Sequence, residues 1–348
     1  MGSEKAGMMK QLKTLFYIVL WYGLNVYFNI YNKKLLNAFP APWTVAQFEL
    51  FAGFLIFVPL WLLGLRKPPQ LSKEEVNKLK PVAAFHMLGH VSGIVALGAG
   101  AVSFTHIVKS GEPLFTAALG AAVLGNYFPF PVYVSLVPVC AGVAIAALKE
   151  LSFTYTALAG AMTSNFACAM RGLVSKMVMK DGIGKNMDAQ NLFSVLTILA
   201  FFMMLPCTLI LEGRDLPTIY KNSIADGATN AELAKYFGLA GLFFYTYNEV
   251  AFVVLSLIDP ISAAVANTVK RVAIIGVSIV VFKTEMTMMG YVGSGMAVLG
   301  VMVYSMVKNY YEEKAKADKK KKAEEEAIKM GNKADVLVSK KSAKVQQT

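Results

Sequence analysis

An all-α membrane protein of ten transmembrane helices, in two inverted five-helix repeats, is the fold the sequence predicts, and three observations predict it. Hydrophobic residues make up 56% of the 348-residue chain and charged residues only 16%, against roughly 25% charged in soluble domains. Apolar segments recur from Leu12 to Met306, each near the ~20 residues that a bilayer crossing needs. A shift of 158 residues then lays Tyr133-Val134 and Gly142-Val143 on Tyr291-Val292 and Gly300-Val301. The same shift puts Glu112-Pro113 on Lys270-Arg271, so polar interruptions coincide as well.

Apolar runs read against turn residues and charges give the elements in order. The first half holds spans at residues 12–31, 43–65, 81–104, 106–124 and 131–148. The second holds 155–179, 191–211, 233–258, 261–282 and 288–307, and the most polar connections are 66–79 and 212–232. Five spans per half is an odd number, so the second half enters the membrane upside down relative to the first, a common transporter plan. The fourth and ninth spans then become equivalent walls of one midplane cavity, and both termini lie on one side.

The transporter domain is expected over residues 1–309, with halves of about 10–150 and 151–309 that follow the repeat, and residues 310–348 form a charged tail, disordered or helical. The net charge is +12, from 34 Lys and Arg against 22 Asp and Glu. The tail takes 11 lysines and 7 acids of these, which leaves 23 basic against 15 acidic residues before it. The membrane portion is therefore basic in its own right, and the tail lysines can also attract anionic lipid.

Cys140, Cys168 and Cys207 sit singly in apolar segments, which indicates neither a disulfide framework nor a thiolate metal site. The first ten residues lack the apolar core of a secretory signal and the Arg- and Ser-rich character of a transit peptide, so either a presequence was removed or internal signals target the chain. Ala6 stands where a myristoylation signal needs Ser or Thr.

An ionisable side chain at membrane depth costs several kcal/mol, so one found there is functional, paired, or close enough to an end to snorkel. Lys109 lies early in the fourth span, and Lys270 with Arg271 lies midway along the ninth. That pair is about ten residues, or ~15 Å of helix, from either edge of its span, too far to snorkel. Two readings stay open: an internal salt bridge with Glu112, Glu249 or Asp259, or an anion site in a watered cavity. Phosphate suits such a site better than carboxylate, having a charge of roughly −2 near neutral pH and several acceptor oxygens. Arg offers a planar fork and Lys a movable point charge. Three cations around a dianion carry less net charge than the empty site, so a loaded carrier is cheaper to occlude; obligate exchange is the expectation.

The chain resembles the plastid phosphate translocators, members of the drug/metabolite transporter superfamily, over nearly all of residues 10–309. The motifs that carry the resemblance are Ala101-Val102-Ser103-Phe104-Thr105-His106-Ile107-Val108-Lys109, Tyr247-Asn248 and Asn267-Thr268-Val269-Lys270-Arg271. It implies an antiporter in the plastid envelope, or the outer membrane of a complex plastid, that exchanges inorganic phosphate for a small organic phosphate. It implies Lys109, Lys270 and Arg271 as the phosphate-binding cations, and His90 and Tyr247 as residues touching the organic part of the substrate. Packing roles for His90, between Gly89 and Gly93, and for Tyr247 are the competing readings.

Local signals on the substrate conflict. His90 and Ile107-Val108-Lys109-Ser110-Gly111-Glu112-Pro113 look most like hexose and pentose phosphate members, whereas Gly276-Val277-Ser278 and the charged extension after Tyr304 look like triose phosphate members. Gly93 departs from the family, in which this position bears a side chain, and widens the expected cavity. Triose phosphate or 3-phosphoglycerate is the leading expectation, with phosphoenolpyruvate, pentose and hexose phosphates as alternatives.

A nucleotide-sugar transporter of the Golgi or endoplasmic reticulum is the rival reading within the superfamily, and the Lys270-Arg271 pair argues against it. No Gly-rich phosphate loop, acidic metal cluster or Ser-His-Asp pattern supports an enzyme. His86 and His90 have metal-ligand spacing but no third ligand is suggested, so no metal or cofactor is expected. Arg171 and Lys176, late in the sixth span, serve either a gate or the interface. His106 has no role that spacing reveals. The expected partners are phosphate compounds and lipid, not nucleic acid, with a monomer as first expectation and a homodimer as the alternative.

Overall fold

The structure is a computed structural model that describes residues 2–345 apart from 126, 149, 152, 181 and 259. Its elements are α1 (Gly2–Ala38), α2 (Pro42–Leu62), α3 (Lys73–Ala99), α4 (Val102–Lys109), α5 (Glu112–Leu124), α6 (Phe130–Val134), α7 (Val137–Leu148), α8 (Tyr155–Val178), α9 (Ala189–Leu211), α10 (Leu216–Ala225), α11 (Asn230–Leu257), α12 (Pro260–Phe282) and α13 (Met288–Val345). Among the described residues no strand forms; a single antiparallel bridge, Gln70 to Lys185, ties the connection before α3 to the one before α9.

Polar side chains set the helix starts, where orphan N–H groups need acceptors. Ser72 and Glu75 close a capping box on α3, and Thr229 and Glu232 close another on α11. Thr154 and Asp188 cap α8 and α9. Helix α2 has no cap of its own; instead Glu212, just past α9, accepts from Trp43 N at 2.9 Å and Thr44 N at 2.7 Å. The end of one span thereby fixes the start of another. Pro113 breaks the fourth span, since it has no N–H for the Lys109 carbonyl and its ring crowds that carbonyl, so α4 ends at Lys109 and α5 begins at Glu112.

Helix pairs recur in a pattern. Helices α3 and α8 pack together, as do α1 and α11; α3 meets α9 while α2 meets α11; α5 meets α8 while α1 meets α12. Helices α2 with α9, α4 with α12, and α7 with α13 also pack together. The α7–α13 crossing is backbone to backbone: a Cβ on Gly142 would lie 2.3 Å from Ala297 N, and one on Gly300 would lie 2.8 Å from Val139 N. Small residues permit this approach where lipid offers no hydrophobic drive between helices.

Seven helical segments among the described residues are long and apolar enough to cross a membrane: those of α2, α3, α6 with α7, α9, α11, α12 and α13. The chain is an all-helical membrane protein. Three of the ten expected spans fall short of that measure for visible reasons. Helix α1 carries Asn25, Asn29 and Asn32, α8 carries Ser164, Asn165 and Arg171, and the fourth span is divided at Ser110-Gly111. Amide donors at depth find acceptors on neighbouring residues: Asn29 donates to Asn25 O at 2.8 Å, and Asn32 donates to Glu49 Oε1 at 2.7 Å. Helix α13 runs on through the charged tail to Val345.

Candidate functional site

A cavity of about 290 Å³ lies between α1, α3, α4, α5, α8, α11 and α12, and His90, Lys109, Tyr247, Lys270 and Arg271 all line it. Among the described residues its lining cations are Lys109, Arg171, Lys270 and Arg271, and its lining carboxylate is Glu112. Such an excess of positive charge at membrane depth is costly unless an anion or water occupies the space.

Each cation is held differently. Lys109 closes the last turn of α4, where the helix dipole favours a positive charge, and its Nζ donates to Ser164 Oγ at 2.5 Å. Ser164 Oγ in turn donates to Gly89 O at 2.8 Å, and Asn165 Nδ2 donates to Val108 O at 2.9 Å, so α8 braces the C-terminal end of α4. Gly89 allows this, because a Cβ there would meet Cys168 Sγ at 3.3 Å. Lys270 Nζ sits 4.5 Å from the centre of the Trp21 ring, a cation–π contact that holds the ammonium without neutralising it.

Arg271 Nη2 lies 3.2 Å from Glu112 Oε2. The internal salt bridge that the sequence leaves open is therefore made by one of the three cations. Glu249 goes elsewhere, pairing with Arg66 and accepting from Gln190 Nε2 at 2.8 Å. Asp259 lies outside the described residues.

The residues expected at the organic end meet an aromatic wall. His90 packs its ring 4.4 Å from that of Phe244, and Tyr247 lies 5.0 Å from Phe28 and 6.1 Å from Phe244. His86 Nδ1 accepts from Arg171 Nη1 at 2.9 Å, which carries Arg171 into the cavity wall. His106, without a role from spacing, stands 2.7 Å from Asn29 Oδ1 and links α4 to α1. Because the Asn29 amide nitrogen already donates to Asn25, that oxygen accepts, and His106 Nε2 carries the proton.

Glu49, Trp21 and Ser164 are the lining or supporting residues that sequence reasoning missed. An acid inside the apolar run 43–65 is a signal of the same kind as Lys270, and it was readable.

A family model described as the Triose-phosphate Transporter family matches residues 12–305. A glucose-6-phosphate/phosphate translocator 1 of Arabidopsis thaliana, chloroplastic, is 37% identical over 309 residues, covering 88% of this chain and 78% of its own. A phosphoenolpyruvate/phosphate translocator 3 of Oryza sativa subsp. japonica, chloroplastic, is 40% identical over 308 residues, covering 88% and 77%. A triose phosphate/phosphate translocator of Brassica oleracea var. botrytis, chloroplastic, is 37% identical over 324 residues, covering 91% and 78%.

Proposed function

The chain belongs to the triose-phosphate transporter family, and from that membership and the basic cavity we propose an antiporter that exchanges inorganic phosphate for a small phosphorylated metabolite across the plastid envelope. It is a multi-pass translocator rather than an enzyme. The observation that carries this reading is the convergence of Lys109, Lys270 and Arg271 on one cavity whose lining, among the described residues, has a single carboxylate. Lys109, Lys270 and Arg271 hold the phosphate group, while His90 and Tyr247 address the organic part from the Phe28 and Phe244 side.

Three-carbon phosphates are the preferred organic substrates. The relatives' names divide between triose phosphate, phosphoenolpyruvate and glucose 6-phosphate at similar identity, so the preference rests on the residues around the cavity. Two of the five residues offer donors or an aromatic face to a short carbon chain, and a space of about 290 Å³ suits a small ligand.

The transporter unit comprises residues 1–309 as ten membrane helices in two inverted repeats, with 310–348 as an appended tail and the monomer as the working unit. The packing pattern supports the repeat. Matching the first span to the sixth, and so on to the fifth with the tenth, exchanges α3–α8 with α1–α11, α3–α9 with α2–α11, and α5–α8 with α1–α12. The same matching returns α2–α9, α4–α12 and α7–α13 to themselves, as a twofold relation requires.

The test is uptake of labelled phosphate into proteoliposomes preloaded in turn with triose phosphate, 3-phosphoglycerate, phosphoenolpyruvate, glucose 6-phosphate and a nucleoside monophosphate. Fastest exchange is expected with the three-carbon phosphates. Preference for the nucleoside monophosphate would overturn the reading in favour of nucleotide-sugar transport.

A further inference from the structure

Beyond Arg271 lies a second chamber of about 380 Å³, lined by Ser110, Glu112 and Thr116 at and after the α4–α5 break, Asn267 and Arg271 of α12, and Ser305 and Lys308 of α13. Glu112, Asn267 and Arg271 line the central cavity too, so the Arg271–Glu112 ion pair stands in the partition between the two spaces. A cavity at the other end of α4, beside Lys33, shares no lining residue with the central one among the described residues. Lys33 Nζ there donates to Leu97 O at 2.8 Å and Gly100 O at 2.9 Å, which ties α1 to the end of α3. Of these two outer spaces, the one beside Lys308 adjoins the site.

Among the described residues, this outer chamber is lined by two cations, Arg271 and Lys308, and one carboxylate, Glu112, which Arg271 already engages. Lys308 is held loosely. Its Nζ lies 3.7 Å from Oε1 of Glu312, an exposed residue one turn further along α13, and 5.4 Å from the centre of the Phe128 ring. An ion pair of that spacing on an exposed helix surface contributes little, so another anion can take its place. Lys176, in the last turn of α8, adds positive charge within electrostatic reach of Lys308. The hydroxyl protons of the chamber are already used: Ser110 donates to His106 O at 3.0 Å, Thr116 to Glu112 O at 3.2 Å and Ser305 to Val301 O at 2.8 Å. The strongest donors open to an anion are therefore the Lys308 ammonium and the rest of the Arg271 fork.

We propose that this chamber is a second phosphate-binding station, outside the central site, in which Lys308 holds a phosphate group before it reaches Arg271. The proposal rests on the exchanger reading above. A phosphate group has enough acceptor oxygens to touch Lys308 and the outer side of Arg271 together. To pass inward it replaces Glu112 on the guanidinium, and its own charge supplies what the departing carboxylate withdraws. Holding the anion at the partition raises its concentration where that replacement happens. The ligand is the phosphate group of free phosphate or of a transported ester; a lipid headgroup has the same chemistry, and the test separates them.

Ser305→Cys places a thiol in the outer chamber, and the native Cys168 reports on the central cavity. Protein in lipid-free maltoside micelles is titrated with inorganic phosphate at constant ionic strength, and labelling of each thiol by a negatively charged thiosulfonate is followed by peptide mass. Phosphate should slow labelling at both positions. Adding Lys308→Gln should raise the phosphate concentration for half-protection of the introduced thiol about tenfold, the scale of one hydrogen bond to a charged group, and leave that of Cys168 within about twofold. Adding Lys270→Ala should do the reverse. No protection of the introduced thiol, or protection that tracks Cys168 through both substitutions, would overturn the station. Slow labelling in anionic vesicles without phosphate, together with no response to phosphate in micelles, would assign the chamber to a lipid headgroup and overturn it as well. Should Ser305→Cys not fold, equilibrium dialysis decides: the wild-type protein should hold a second phosphate that Lys308→Gln lacks, and equal stoichiometry overturns the proposal. Labelled-phosphate exchange by the wild-type protein is measured alongside; its failure would remove the exchanger reading, while the protection pattern still decides whether the station exists.

Discussion

Arg271 on α12 reaches Glu112 at the start of α5, with Nη2 3.2 Å from Oε2, so the carboxylate that lines the cavity among the described residues is already engaged with one of its cations. A phosphate that binds Arg271 must share its guanidinium with Glu112 or displace it. Arg271→Lys keeps the charge but loses the planar fork. Affinity for phosphate should fall by about one to two orders of magnitude, the scale of a lost hydrogen bond to a charged group, with membrane insertion retained. Glu112→Gln should move affinity the opposite way. Saturation curves for phosphate self-exchange check both.

Lys270 and Trp21 give a second prediction. Removing the ring by Trp21→Leu withdraws a contact worth ~0.5–2 kcal/mol, so phosphate affinity should fall severalfold, with Trp21→Phe between. Lys109→Ala and Lys270→Ala should lower exchange with every counter-substrate alike, because the phosphate group is their common element. A loss confined to one organic phosphate would assign them to selectivity instead.

Coupling follows from the charge excess. Four cations against Glu112 repel one another when the cavity is empty, and the repulsion grows as the effective dielectric falls during occlusion. Net uptake into empty proteoliposomes should therefore be far slower than exchange into phosphate-loaded ones, with a bulky anion replacing chloride. Equal rates would mean that internal partners neutralise the site.

Outside the membrane segments, Glu75 offers a pH test. It accepts from Ser72 N at 2.7 Å and Gly184 N at 2.7 Å, and these backbone donors hold its carboxyl below the ordinary glutamate value. A lowered value means that the clamp between α3 and the α8–α9 connection is fully present above the unfolded glutamate value and is lost as pH falls through the folded one. Amide exchange at Gly184, corrected for its intrinsic pH dependence, should lose protection over that acidic range. Glu75→Gln should show the reduced protection already at neutral pH.

Hydropathy makes the membrane character and most helices legible, and the cost of buried charge singles out Lys109, Lys270 and Arg271 from the sequence. The partners of those charges were not legible. Trp21, Ser164 and Glu112 come from three other helices, and only folding sets which of them meets which cation. The break at Pro113 was readable, yet the bracing of α4 by Asn165 depends on where α8 crosses. Glu49 was missed because one acid hardly lowers the apolar average of its run, although its isolation there was the informative fact.

The crossings α3–α8 and α1–α11 are built from unlike materials. A Cβ on Gly160 would lie 2.8 Å from Ser92 O and 3.1 Å from Ala96 N, so α3 and α8 are riveted backbone to backbone. Helices α1 and α11 are separated by stacked rings instead, Tyr27 on Phe243 at 5.6 Å and Tyr31 on Phe243 at 5.8 Å. Rings can slide where interlocked backbones cannot, so turnover should concentrate its strain in the aromatic bearing and spare the rivet. Amide exchange recorded during active exchange should rise along α1 and α11 and stay low along α3 and α8; an even rise along both would mean that the two crossings flex as equals despite their different joints.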